Sequence, residues 1–442
     1  MTAAGARFRL CLRNLNAIIK LRCRLTALFA NDLLRHTAIL FAGMMVANVC
    51  NLVYQMAVSR VLPKEEYALL AAFLGVLAII SYPLATLTTG LGRYSSLLRQ
   101  EGRTGDIKRL LRKWMLLTGV PAFLLGAAVV VFNDPVAAYV HLDRAAPVVI
   151  AGVVLPALFW LPVLTGAAQG LQLFGWSSGS NIAGSMLKLM LGAGLVWFWH
   201  PSCGWAMVGH SAGIYLSAAV LAAGLFLVLH GGNETSAALP SMRFYLLQSF
   251  FVQIGFAMLM NIDVVLVKHY LPDNTEFAYA STLGRIVAFL PMAVGMAMFP
   301  KVASSGGATA EHRKIFLHSF GYTAICVAAA ALGCLVCPRL LLHILFGIRA
   351  ASDSMVQLTR LMALAMAASA LLNIVIQFLL AQHRVKETFA VVVSCLLYLL
   401  SAHFFHDTAP QIAVASGVFN VVALLAALYA VLRLKPEDPF HR

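Results

Sequence analysis

Acidic residues are scarce in this sequence. Asp and Glu together number 17 among 442 residues, and charged residues of both signs make up only 11%. Soluble domains carry about a quarter. With 61% hydrophobic residues and a mean hydropathy of +0.85, the shortage excludes a soluble globular chain. Long hydrophilic stretches are also missing. After the N-terminal segment the longest runs only from Arg93 to Lys113, so no large soluble domain is inserted. Strict apolar–polar alternation is absent, which excludes a membrane β-barrel. No Walker motif, G-x-S-x-G or H-E-x-x-H occurs, so an ATP-driven pump or an intramembrane hydrolase has no support. Metal ligands do not cluster. Cys334 and Cys337 form a C-x-x-C inside an apolar run with no second pair, which reads as small packing residues. "HFFHD" (403–407) reads as an interfacial anchor. No metal and no cofactor is expected.

What is abundant is long apolar runs. Each can cross roughly 30 Å of hydrocarbon as a helix. Twelve spans are expected, at about 38–60, 66–90, 114–132, 147–171, 178–199, 204–229, 244–268, 276–299, 315–337, 355–380, 387–405 and 410–432. The fold class is an all-α polytopic membrane protein.

The net charge of +15 does not point to nucleic acid, because the basic residues sit in short loops between spans. Of 32 basic residues, 23 fall on one side when the segments are assigned alternately, and 6 on the other. The positive-inside rule makes the richer side cytoplasmic and places both termini there. Residues 1–37 hold seven basic residues and no apolar core of a cleavable signal. They are expected to form an amphipathic helix on the anionic leaflet.

The chain also repeats itself. "SRVLPKEEYALLAA" (59–72) matches "KHYLPDNTEFAYAST" (268–282), Pro83 matches Pro291, and Arg93 matches Lys301, at an offset of about 209 residues. An even number of spans per half makes the repeats parallel, related by an axis along the membrane normal. The expected organisation is a basic cytoplasmic segment (1–37), a six-helix lobe (38–230), a linker (231–243), a second six-helix lobe (244–433) and a short cytoplasmic tail (434–442). Substrate sites in such folds lie between the halves. Prolines 83 and 291 would kink matched helices.

Polar groups inside the spans are functional candidates, because burying them in lipid is costly. Asn48, Asn51 and Gln55 form one stripe on the first span. Asn373 and Gln377 are spaced i, i+4 on the tenth, and Gln169 and Gln172 i, i+3 on the fourth. Such stripes suit a hydrated lumen that binds sugar hydroxyls, or simple hydrogen bonding between helices. Three embedded charges stand out: Lys188, Arg285 and Asp263. Arg suits phosphate because its fork is bidentate. Asp263 and Arg285 lie on adjacent spans near the same leaflet, so a structural ion pair is the alternative. Asn261 and Asp263 stand about 200° apart on a helix, so they cannot both face a lumen.

At the seventh and eighth spans the chain resembles a known family. "NIDVVLVKHYLPDNTEFAYASTLGRIVAFLPMAVGMAMFPKVA" (261–303) looks like the start of the second half in polysaccharide flippases (Wzx-like) of the multidrug/oligosaccharidyl-lipid/polysaccharide (MOP) exporter superfamily. Asp263, Glu276, Tyr279, Arg285 and the closing "FPKVA" carry the likeness, and "YQMAVSRVLPKEEYALLAAF" (54–73) is similar to the family's first-loop pattern. The sequence departs from that pattern at "EFAYA" and at Lys268 and His269, where small residues are common. The resemblance implies a MATE-like fold of two six-helix lobes. It also implies a bacterial inner-membrane flippase that carries undecaprenyl-diphosphate-linked repeat units to the periplasmic leaflet by alternating access. The lipid-linked oligosaccharide would be the substrate, and membrane lipids, a polysaccharide polymerase and export machinery the partners. Arg285, Lys188, Arg93 and Lys301 would then meet the diphosphate, with Arg93 and Lys301 at the cytoplasmic mouth. Asp263 would carry a coupling H+ or Na+. The rival within the superfamily is a cation-coupled drug antiporter, which expects an acidic lumen. Two embedded cations against one acid lean the other way. Snorkelling anchors are the plain alternative for Arg93 and Lys301.

Overall fold

The computed structural model describes residues 32–139, 145–230, 243–289, 309–382, 384 and 386–433. Every regular element among them is helical. In chain order these are α1 (Asp32–Val61), α2 (Lys64–Gln100), α3 (Thr104–Val131), the short α4 (Asn133–Tyr139), α5 (Ala146–Gly170), α6 (Phe174–Phe198), α7 (Cys203–Leu229), α8 (Arg243–Tyr270), α9 (Glu276–Phe289), α10 (Thr309–Val336), the short α11 (Pro338–Phe346), α12 (Asp353–Ala381), α13 (Phe389–Phe404) and α14 (Ala409–Leu432). Eleven described helices are long and apolar enough to cross a membrane. The remaining expected span, 276–299, begins as α9, and its second half lies outside the described residues. So do most of the basic N-terminal segment 1–37, nearly all of the linker 231–243, the tail 434–442, Pro291 and Lys301.

Local chemistry sets the helix ends. Pro63 ends the approach from α1 and starts α2, since proline disfavours a helical residue before it and supplies no N–H. Ser352 caps α12 by accepting from the Met355 N–H at 3.0 Å. The Thr408 N–H donates to Gln411 Oε1 at 3.0 Å at the start of α14. Gly347 ends α11 at φ +75°, a conformation that suits glycine.

One stretch differs from its expected form. The hydrophilic run 93–113 is not a loop but the ends of two helices joined by a tight turn. Gly102 takes φ +71° there, and the Arg103 N–H donates to the Leu98 carbonyl at 2.9 Å. Arg, Lys, Leu and Gln are good helix formers. Hydropathy marks only where the hydrocarbon ends, not where the helix does. At 37 residues, α2 is about 55 Å long and so outruns the bilayer core.

In the first lobe α5 lies centrally against α2, α3 and α7, with α6 on α7 and α1 on α6. In the second, α12 packs on α9, α10 and α14, and α13 bridges α8 and α14. The long contact between lobes is α2 against α8. Apolar side chains on the outside remain uncovered, among them Phe123, Leu124, Phe198 and Trp199. Such a surface suits lipid, and the tryptophan suits its interface.

Candidate functional site

The α2–α3 turn and the helix ends that meet it carry seven basic residues between Arg93 and Lys113, and they define a basic face. On the opposite face the lobes are locked together. Tyr67 of α2 donates its hydroxyl proton to Thr282 Oγ1 of α9 at 3.1 Å. Its ring stacks on Tyr279 at 4.5 Å, and Phe346 stands edge-on to Tyr279 at 5.4 Å. Arg60, at the end of α1, donates to the Ile344 carbonyl of α11. Deeper along the same seam, Gly75 admits α8. A Cβ there would stand 3.2 Å from the Asn261 carbonyl oxygen. Tyr82 meets Phe256 edge-on at 5.9 Å. One buried apolar cluster runs from this half of the first lobe straight into the second. A separate cluster fills the basic-face half of the first lobe, and Leu246 is its one second-lobe member among the described residues.

Embedded polar residues collect at two places. The first is in the second lobe. Asp263 of α8 is wholly buried and accepts from Arg285 Nη2 of α9 at 3.0 Å and from Ser281 Oγ at 3.1 Å. Arg285, 8% exposed, also reaches the Asn261 carbonyl at 3.4 Å. A buried charge is stabilised only when paired and hydrogen-bonded, and here the acid and the base answer each other. Asn261 turns away as its helical phase requires, its amide donating to Ala257 O one turn back.

The second place is in the first lobe. Lys188 opens a π-helical segment, Lys188–Ala193, inside α6. The wider turn inserts an extra residue, and such bulges recur at functional sites. From there the ammonium donates to Asn51 Oδ1 of α1 at 3.0 Å and sits 4.5 Å above the Tyr54 ring. A cation over an aromatic face is attracted by about 0.5–2 kcal/mol. The Tyr54 hydroxyl donates to the Ala206 carbonyl of α7 at 3.0 Å. Glycines let the helices close around this point. A Cβ on Gly209 of α7 would overlap the Gly192 backbone, and one on Gly213 would stand 3.0 Å from Lys188 Cβ. Among the described residues Lys188 forms no ion pair.

The other sequence-selected residues spread around these centres. Asn48 is exposed on α1, while Asn51 and Gln55 are half-buried. Asn373 is buried and Gln377 half-buried on α12. Arg93 is exposed on the basic-face end of α2. Gln169 and Gln172 do not share a stripe. Gln169 lies in the last turn of α5, and Gln172 sits beyond it in a turn at φ +59°. The structure thus brings Asn51 and Lys188 together and brings Asp263 to Arg285. Sequence reading missed Tyr54, one helical turn from Asn51, and His210, one turn from Gly213. The Tyr54 ring under a half-buried lysine had a usable signal in its spacing within the polar stripe. His210 had none beyond being a lone histidine in an apolar span.

No protein-family model matches the chain, and no curated protein matches it in sequence. The fold is that of MATE transporters of the MOP superfamily. An inward-facing multidrug resistance MATE family transporter aligns over 90% of this chain and 98% of its own, with TM-score 0.64 and 13% identity. A MOP superfamily transporter from Pyrococcus furiosus Vc1, described by the reverse polarity of its binding pocket, aligns over 90% and 94%, with TM-score 0.62 and 14% identity. A Vibrio cholerae MATE transporter aligns over 94% and 99%, with TM-score 0.60 and 16% identity. At these identities the likeness establishes the fold.

Proposed function

We propose that this chain is a membrane transporter that flips a lipid-linked oligosaccharide. The substrate is an undecaprenyl-diphosphate-linked repeat unit for O-antigen, capsule or exopolysaccharide, moved from the cytoplasmic to the periplasmic leaflet of a bacterial inner membrane. The basic face is then cytoplasmic, with both termini on that side. One observation supports the reading above others. Asp263, the acid that stands out deep within a span, is already matched by Arg285, while Lys188 forms no ion pair among the described residues. The unbalanced embedded charge is therefore positive, and it asks for an anion. A diphosphate head supplies one, and the amides of Asn51, Gln55, Asn373 and Gln377 offer hydrogen bonds to sugar hydroxyls. Arg93 and Lys301 are assigned to the cytoplasmic mouth, where the anionic head arrives.

A second reading is favoured by one finding, the likeness to multidrug resistance MATE transporters. A cation-coupled drug antiporter would bind organic cations, and Asp263 would carry H+ or Na+. Lys188 disfavours such substrates by like charge. The test is complementation. A strain lacking its own repeat-unit flippase should recover surface polysaccharide with this chain and not with Lys188→Ala at equal protein level. Recovery of drug resistance without polymer would support the antiporter.

A further inference from the structure

Two polar atoms on the helices that flank Lys188 have no hydrogen-bond partner among the described residues. His210 Nδ1 on α7 and Gln55 Oε1 on α1 are both buried and unbonded. Leaving such atoms unsatisfied costs about 1–3 kcal/mol each. Their positions converge. Gln55 stands one turn from Asn51 on the same face of α1, and Asn51 holds the Lys188 ammonium. His210 stands three residues before Gly213, whose missing Cβ leaves room for Lys188 Cβ. α1 and α7 each pack against the π segment of α6 at this point. All four side chains are half-buried rather than sealed. Asn48, exposed one turn nearer the basic face, continues the polar stripe toward that side.

The unused bonding capacity defines a ligand. Lys188 spends one of its three donors on Asn51, so two remain. His210, in its Nδ1–H tautomer, offers one more donor toward an oxyanion. Gln55 Oε1 is an acceptor and cannot serve an anion. It needs an O–H or N–H. We propose that Lys188 and His210 hold a phosphate oxyanion, while Gln55 accepts the hydroxyl proton of a sugar attached to it. The first lobe then carries a receptor for a sugar phosphate at the junction between sugar and phosphate. The proposal rests on the flippase reading for the natural source of that group, and it adds His210 and the division of labour between the three side chains.

The experiment uses the full chain, purified in lipid nanodiscs, with thermal unfolding as the readout. The probes are glucose 1-phosphate, geranyl diphosphate, which lacks a sugar, and tetraphenylphosphonium, an organic cation. The first two should raise the unfolding midpoint of the wild type and the third should not. Lys188→Ala should abolish both shifts. His210→Ala should weaken both phosphate probes by about tenfold, the loss of one charge-assisted hydrogen bond. Gln55→Ala should weaken glucose 1-phosphate by about fivefold and leave geranyl diphosphate unchanged. If His210→Ala does not fold, His210→Gln, which keeps a donor, takes its place and should lose less. Wild-type affinities in the His210 and Gln55 variants overturn the proposal, as does binding of tetraphenylphosphonium that depends on Lys188. The two readings fail separately. If the binding pattern holds but Lys188→Ala still supports surface polysaccharide, the flippase reading falls and the receptor stands. If polymer is lost but the pattern is absent, the receptor falls alone.

Discussion

Removing one partner of the Asp263–Arg285 pair should cost far more than removing both. Asp263 is wholly buried, and Arg285 is 8% exposed. Their 3.0 Å contact is supported by Ser281 at 3.1 Å. Asp263→Leu leaves the guanidinium without a counter-charge in an apolar surround. Breaking a buried pair this way typically costs about 3–5 kcal/mol. Arg285→Met should cost as much, because it strands the carboxylate. Asp263→Leu combined with Arg285→Met removes both charges and replaces them with apolar volume, a change that is often near neutral. The double variant should therefore be far more stable than the sum of the singles implies, with a coupling energy of about 6 kcal/mol or more. Guanidinium unfolding of the purified protein in detergent, followed by helical circular dichroism, measures all four corners of the cycle. Singles that each lose less than about 1 kcal/mol, or a double that loses their full sum, would refute the pairing argument.

Other outcomes follow from the same geometry. Gly209→Val places a branched side chain against the Gly192 backbone and should lower stability by about 1–3 kcal/mol through overpacking, read as a drop in the unfolding midpoint. Tyr54→Phe removes the bond to the Ala206 carbonyl and should cost about 1 kcal/mol while keeping the ring under Lys188. Cysteines at positions 67 and 282 should be joined by a short bifunctional thiol crosslinker, since the native side chains touch across the lobes through the length of Tyr67. The crosslink should stop transport, and failure to form it would contradict the closure of that face.

The fold was legible because burial in lipid leaves few alternatives. Apolar runs of sufficient length must be helices, so the eleven expected spans other than 276–299 fall on observed helices. Their ends were less legible. The charged residues of 93–113 are helix formers whose helicity hydropathy cannot see, so α2 and α3 outrun their expected limits. The pair Asp263–Arg285 could be suspected from position on adjacent spans, and the structure shows the contact. The surroundings of Lys188 were less visible. Its helix departs from 3.6 residues per turn at Lys188–Ala193, so any face drawn at constant pitch misplaces its neighbours. His210 comes from another helix altogether, and the Gly209-x-x-x-Gly213 spacing that lets that helix approach does not say which helix it meets.

The central claim is that the embedded cation Lys188 serves an anionic lipid-linked substrate. Its most direct test is a liposome assay. The purified chain is reconstituted with a fluorescent polyprenyl-diphosphate sugar, and arrival in the opposite leaflet is read by a membrane-impermeant quencher. The account predicts rapid flipping by the wild type, loss of flipping in Lys188→Ala with normal insertion, and retention in Lys188→Arg. Flipping that is indifferent to Lys188, or none at all alongside uptake of an organic cation, would contradict it.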